Sequence, residues 1–371
     1  MKRKTLWALV AVFALLVAAC GDDGGDDTTT TAAPVDDVTT TEAPAPDTTA
    51  GGAELGSPER PVQVLFVPSV DAQVIVSGGE IMDAALEEAT GLSFEVSVPT
   101  SYAATIEEMC AAPEDTMGFI PGFGYVLASQ LCGVDVAAKA VRFGWGVYWA
   151  QILVPRDSDI QTVADLDGLT WAVPDLGSTS GYLVPLVMLD EAGVTPGETV
   201  ETGGHPNAAL AVYRGEADFA TTFFSPPLVD PAWAIGDPAD VPDDLVDSCA
   251  RNDEGQLWCG GDAYRVLDAR SSVTEEAPDV IQELRILEIS PEIPNDTMAF
   301  GPDFPADLRQ QITDAIFAFA AECDTDENCA WNQSIGHEDF YAWSGIEPAV
   351  DAEYDELRAV VETAGIELED L

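Results

Sequence analysis

Residues 175–185 read DLGSTSGYLVP, and their reading decides the fold. An apolar run, LTWAV at 169–173, ends just before them. Helical spacing begins at Ser178 and runs to Ala192, with Gly193 as the stop. The turn therefore stands where a strand hands over to a helix. N–H groups at a helix start lack intrahelical partners, and the positive end of the helix dipole points the same way. Ser178, Thr179 and Ser180 add three successive hydroxyls. The combination makes a compact anion site without formal charge. A plain N-cap by Ser178 or Thr179 explains the same residues. The GSTSG of 177–181 imitates a nucleophile elbow but puts Thr179 at its centre. His205 and Asp218 complete a triad only on paper, since the hydrolase order is nucleophile, acid, His.

Working outward, strand and helix patterns alternate. Residues 61–68 (PVQVLFVP) read as a buried strand, 80–89 as a helix, and 92–98 as a strand. Helix, strand and helix follow at 102–110, 117–120 and 124–131, then a long strand at 147–155 (VYWAQILVP). Beyond the turn, 207–215 is helical, 218–224 a strand, 284–289 a strand, 303–322 a helix, and the tail from Asp351 an acidic amphipathic helix. Residues 230–280, rich in Asp, Pro and Gly, read as an insertion. The alternation predicts α/β architecture with a parallel or mixed sheet, and 371 residues suggest two domains or lobes.

The N-terminus reads as a targeting signal. Lys2, Arg3 and Lys4 precede a short apolar stretch, and Val17-Ala18-Ala19-Cys20 follows. This resembles a bacterial lipobox, with residues 1–19 removed and Cys20 carrying lipid; an ordinary secretory signal is the alternative. Residues 20–56, rich in Thr, Asp and Pro, have almost nothing to bury and read as a disordered tether. Six cysteines remain beyond Cys20 and fall in local couples: Cys110 with Cys132, Cys249 with Cys259, Cys323 with Cys329. Local disulfides are expected in an oxidising compartment, although six cysteines allow fifteen connectivities. A metal site is the weaker alternative, because there is no CxxC and the only histidines are His205 and His337.

Charge narrows the partners. The chain has 14 basic and 67 acidic residues and a formal net charge of -53. Nucleic-acid binding is excluded, as is attachment to an anionic membrane by charge. Such a surface resists aggregation or reflects adaptation to high salt. Disorder throughout is excluded by a hydrophobic content of 47%.

Beside GSTSGYLVP stand GGHPNAALAVYRGEADFA (203–220), ISPEIPND (289–296), TSYAATIEEM (100–109) and GFGYVLAS (122–129). Over residues 60–330 this set resembles the phosphate/phosphite/phosphonate family of ABC-transporter substrate-binding proteins. The resemblance implies a type II periplasmic-binding-protein fold, in which two α/β lobes joined by two hinge-crossing strands close over a ligand. The crossings fall near 147–155 and 284–293. Lobe 1 would comprise 57–150 and 288–371, and lobe 2 would comprise 151–287, including the insertion. The C-terminal helices would return to lobe 1. Ser178, Thr179 and Ser180 would hold phosphorus oxygens, His205 would donate a ring N–H, and Tyr102 and Tyr148 would close on the anion. Ser225 and Ser290 are weaker contacts.

Family members that take aminoalkyl phosphonates are expected to place carboxylates in the pocket for the ammonium. Here ATTFFSPP (220–227) has none before Asp230. The expectation is a small oxyanion: phosphate, phosphite or a simple alkylphosphonate. Implied partners are a permease and its ATPase, with membrane attachment through Cys20, a monomeric state, no cofactor, no metal and no catalysis. Alternatives are a binder of another small organic ligand, a sensor domain, or a tethered serine hydrolase.

Overall fold

The computed structural model describes residues 52–324 and 328–365. The lipobox, Cys20 and most of the tether lie outside the described residues. The packed unit starts before residue 57, because Leu55 is buried and the Gly56 N–H donates to Arg60 O at 2.8 Å.

Chain order begins β1 (Val62–Phe66), α1 (Ala72–Thr90), β2 (Phe94–Ser97), α2 (Tyr102–Ala111), β3 (Thr116–Ile120) and α3 (Gly122–Cys132). These are strand-helix-strand units: β1 pairs in parallel with β2 and with β3. Next come β4 (Asp135–Val141) and the long β5 (Val147–Pro155). Then follow β6 (Thr170–Val173), α4 (Val184–Glu191), β7 (Glu198–Glu201), α5 (His205–Tyr213) and β8 (Phe219–Phe224). After the 228–265 region come β9 (Leu284–Ile289), β10 (Ile293–Pro294), β11 (Thr297–Phe300), α6 (Ala306–Ala321), β12 (Gly345–Pro348) and α7 (Asp355–Ala364).

Two mixed sheets result. The first runs β12-β4-β11-β3-β1-β2, and the second runs β9-β5-β8-β6-β7 with β10 also on β5. β5 belongs to the second sheet through β8, and its first residues pair with β10, Tyr148 opposite Ile293. The β9–β10 stretch returns alongside it, antiparallel, and leads into β11 of the first sheet. These are the two crossings.

Both faces of β5 are covered, which is why it reads as one unbroken apolar run. Trp149 and Leu153 enter a core with Phe224 and Trp233, while Ile152 and Val154 enter one with Trp171 and Phe219. In the first lobe, Phe66 stacks on Phe119 at 4.7 Å, and Trp343 meets Phe119 edge-on. Tyr354 packs on Tyr125. The C-terminal region thus completes the core begun by β1.

The 230–280 region has structure of its own. With Leu228–Val229 it forms a four-stranded antiparallel sheet through Ala250–Arg251, Leu257–Cys259 and Tyr264–Arg265. Disulfides join Cys110 to Cys132, Cys249 to Cys259 and Cys323 to Cys329. Among the described residues no helix is long and apolar enough to cross a membrane.

Candidate functional site

The turn after β6 sits at the cleft between the lobes. Ser178 caps it: its Oγ accepts from the Gly181 N–H at 3.1 Å. Residues Thr179–Leu183 form a wide π-type turn that continues into α4. No backbone acceptor among the described residues engages the N–H groups of Thr179 and Ser180. The glycines have a packing reason. A Cβ on Gly181 would lie 2.2 Å from Pro174 Cγ, and one on Gly177 would lie 2.5 Å from Tyr102 Cβ across the cleft. GSTSG is thus a close-packed helix start rather than a strained elbow.

A cavity of about 110 Å³ opens on this turn. It is smaller than the ~300–1,000 Å³ of sites for drug-sized ligands. Tyr102, Tyr148, Ser178, Ser180, His205 and Ser225 line it together. Thr179 and Ser290 do not, contrary to expectation. The buried Thr179 Oγ1 accepts from the Phe123 N–H at 2.9 Å, so this hydroxyl ties the turn to the start of α3 in the other lobe. Ser290 staples the two crossings: its Oγ accepts from the Ala150 N–H at 2.9 Å, and its own N–H donates to Ala150 O at 2.9 Å.

Around the turn itself the groups that face the cavity are neutral donors. Burial first, then the nearby Arg142, lowers the His205 pKa to about 3, so its ring is neutral at ordinary pH. Its Nε2 lies 3.4 Å from Ser178 Oγ, and its buried Nδ1 has no partner. Burial, reinforced by neighbouring anionic groups, raises the pKa of Tyr102, Tyr148 and Tyr341, keeping their hydroxyls protonated. The Ser178–His205 contact is not a triad. Asp218 is exposed and accepts from the Thr170 N–H at 2.8 Å, and among the described residues no carboxylate orients the imidazole.

Charged residues that the sequence did not single out also line the cavity: Arg142, Arg265, Asp296, Glu338 and Asp339. Arg142 follows β4 in a hairpin, and Asp296 lies between β10 and β11. They pair at 2.6 Å. The expectation of a pocket without a carboxylate therefore needs correction: the strand after His205 supplies none, but the returning crossing does. Only Asp296's place at the end of ISPEIPND hinted at this.

The lobes are closed on each other. The Tyr102 N–H donates to Asp175 Oδ2 at 3.4 Å, and the His205 N–H donates to Ser69 O at 3.4 Å. At the cavity mouth Arg265, from the four-stranded sheet, pairs with Glu338 of the first lobe.

Two α/β lobes joined by crossing strands and closed on a small cavity define a type II periplasmic binding protein. Residues 64–354 match the model of the phosphonate ABC-transporter periplasmic substrate-binding proteins, and the chain belongs to that family. Its members serve transport outside the cytoplasm. The chain is 25% identical over 333 residues to the phosphate-import protein PhnD of Mycolicibacterium smegmatis, covering 84% of this chain and 88% of that one. Among solved structures, it resembles a binding-protein component of an ABC phosphonate transporter from Pseudomonas aeruginosa, with TM-score 0.60, 18% identity and coverage of 81% and 84%. It also resembles PhnD1 from Prochlorococcus marinus, solved with methylphosphonate, with TM-score 0.59, 14% identity and coverage of 82% and 98%. These two likenesses concern the fold.

Proposed function

We propose that this protein is a lipid-tethered, extracytoplasmic capture protein for a small phosphorus oxyanion, either phosphate, phosphite or a simple phosphonate. It delivers the ion to an ABC permease driven by its ATPase and breaks no bond. The observation that carries the reading is the convergence of Ser178, Ser180, Tyr102, Tyr148 and His205 on one small cavity at a helix start. All are neutral donors, and hydrogen bonds to an ionised acceptor are the strong kind. The mycobacterial relative's role in phosphate import and the methylphosphonate bound by the cyanobacterial one support the same ligand class.

The turn at Ser178 belongs to the second lobe and receives the anion in the open form. The first lobe then closes, bringing Tyr102 against Gly177. The ligand stabilises closure in proportion to its preference for that state. Lipid on Cys20 would hold the protein at the outer face of the membrane, with the segment up to the folded unit as tether.

Calorimetric titration with phosphate, phosphite, methylphosphonate and 2-aminoethylphosphonate tests this. Tight binding of one or more of the first three is expected. Binding to none of the four overturns the assignment, and tight binding of the amino compound alone overturns the choice of a simple oxyanion.

A further inference from the structure

The four-stranded sheet of the 228–265 region also lines the cavity, through Gln256, Leu257 and Arg265. Anion capture at the Ser178 turn uses none of them. Arg265 is only 9% exposed, yet most of its donors are unspent. One terminal nitrogen pairs with Glu338, and the buried Nε–H has no partner among the described residues. A guanidinium carries five N–H donors in a fixed fork, so Arg265 can hold a second acceptor without releasing the first. Trp258 stands opposite it on the neighbouring strand, with its ring centre 5.8 Å from the guanidinium carbon.

Gln256 supplies a further donor. Its Oε1 accepts from the Trp258 indole N–H at 3.0 Å and from Asn252 Nδ2 at 3.3 Å. An indole N–H only donates, so the orientation of the amide is fixed and Nε2 is left free to donate. Trp258 thus orients both Arg265 and Gln256. The carboxylates nearby do not cancel this set. Asp296 is paired with Arg142, and the Glu338 and Asp339 side chains are 46% and 78% exposed, where solvent screens them.

The cavity of about 110 Å³ has room for roughly seven to eleven water-sized positions, more than the atoms of phosphate require. Phe223, Leu257 and Phe340 also line it and suit a short hydrocarbon link. We propose that the 228–265 sheet builds a second anion subsite, with Arg265 and Gln256 as its donors. The ligand class it selects is a phosphonate carrying a carboxylate on a short carbon chain. The phosphoryl group seats at Ser178 and Ser180, and the carboxylate reaches Arg265. Carboxylate and guanidinium match in shape, and a hydrogen bond between two charged groups is of the strong kind. The proposal deepens the phosphorus-oxyanion reading and rests on it.

Calorimetric titration of the purified protein tests this with two pairs matched in chain length. Phosphonoacetate is compared with ethylphosphonate, and 3-phosphonopropionate with propylphosphonate, with methylphosphonate as the reference for the Ser178 turn. In at least one pair the carboxylate member should bind about 10- to 100-fold more tightly, the gain expected of a hydrogen bond to a charged group. Arg265→Gln combined with Glu338→Gln leaves neither partner as an orphaned charge. In that variant the ratio should fall to about one while methylphosphonate still binds. Gln256→Leu keeps the Arg265–Glu338 pair and should lower the ratio about threefold or more, so it serves if the double variant does not fold. Carboxylate members that bind no more tightly than their alkyl partners in both pairs overturn the proposal, as does an unchanged ratio in a folded variant. If neither methylphosphonate nor any of the four compounds binds the native protein, the underlying site reading fails instead.

Discussion

Gly177 shows how one missing side chain sets the geometry of closure. Its Cβ position would fall 2.5 Å from Tyr102 Cβ, so the first lobe can reach the anion turn only because nothing is there. Gly177→Ala should fold normally in each lobe yet hold the cleft partly open. We expect phosphate affinity to fall about 10- to 100-fold, the cost of overpacking a close contact. Calorimetry with small-angle scattering checks it; unchanged affinity with a compact, closed form contradicts it. The same scale shows what could be read from sequence. The hydroxyl cluster and the helix start were visible because capping and hydroxyl chemistry are local. Thr179 could not be separated from Ser178 and Ser180, because its partner, the Phe123 N–H, is 56 positions away. The pairing of Arg142 with Asp296 is hidden for a similar reason: Arg142 lies in no motif, Asp296 only ends ISPEIPND, and they are 154 positions apart.

Among elements, the strongly patterned ones were legible and the short or ambiguous ones were not. β5 announced itself as nine residues of nearly continuous apolar character. β4 reads DVAAKAV, whose alanines carry no strand signal; it is a strand because β11 and β12 flank it. β11 and β12 have four residues each, too few to show a period. Helix α1 was expected over 80–89 and begins at Ala72, capped by Asp71, whose carboxylate accepts from the Gln73 N–H. That helix carries a pH liability at Asp83. Burial first, then Glu87, Glu80 and Glu95, raises its pKa to about 7, and its Oδ1 is buried without a partner. A folded-state pKa above the unfolded value means that the folded form binds the proton more tightly. The associated stability is present in full below about pH 4 and is lost as pH rises through about 7. Asp83→Asn should therefore stabilise the protein by about 1–2 kcal/mol at pH 8, discounted for partial exposure, and leave it unchanged at pH 4. Denaturant unfolding at the two pH values measures this, and an equal effect at both would refute it.

At the scale of the whole molecule, a net charge of -53 surrounds a site proposed to hold an anion. The two are compatible only if local donors outweigh the general field inside a closed, partly dry cleft. Outside the cleft the field opposes approach, and it is screened over about 10 Å at 0.1 M salt. Association with phosphate should therefore quicken as salt rises from about 10 to 150 mM, a range over which screening tightens severalfold. Stopped-flow association rates that fall over that range would show that the surface does not repel the ligand. The two-lobed plan itself was legible because each lobe repeats strand-helix alternation. The four-stranded sheet within 228–265 was not, since its strands are two or three residues long and only its mutual pairing defines them. That sheet supplies Arg265, whose pairing with Glu338 bridges the cavity mouth. The central claim is that a phosphorus oxyanion is held at the helix start beside Ser178 and Ser180. A crystal structure of the protein with methylphosphonate tests it most directly. Phosphonate oxygens are expected within hydrogen-bonding distance of both hydroxyls and of the Thr179 or Ser180 N–H, with the lobes closed. A ligand seated elsewhere, or a cavity left empty at saturating concentration, would contradict it.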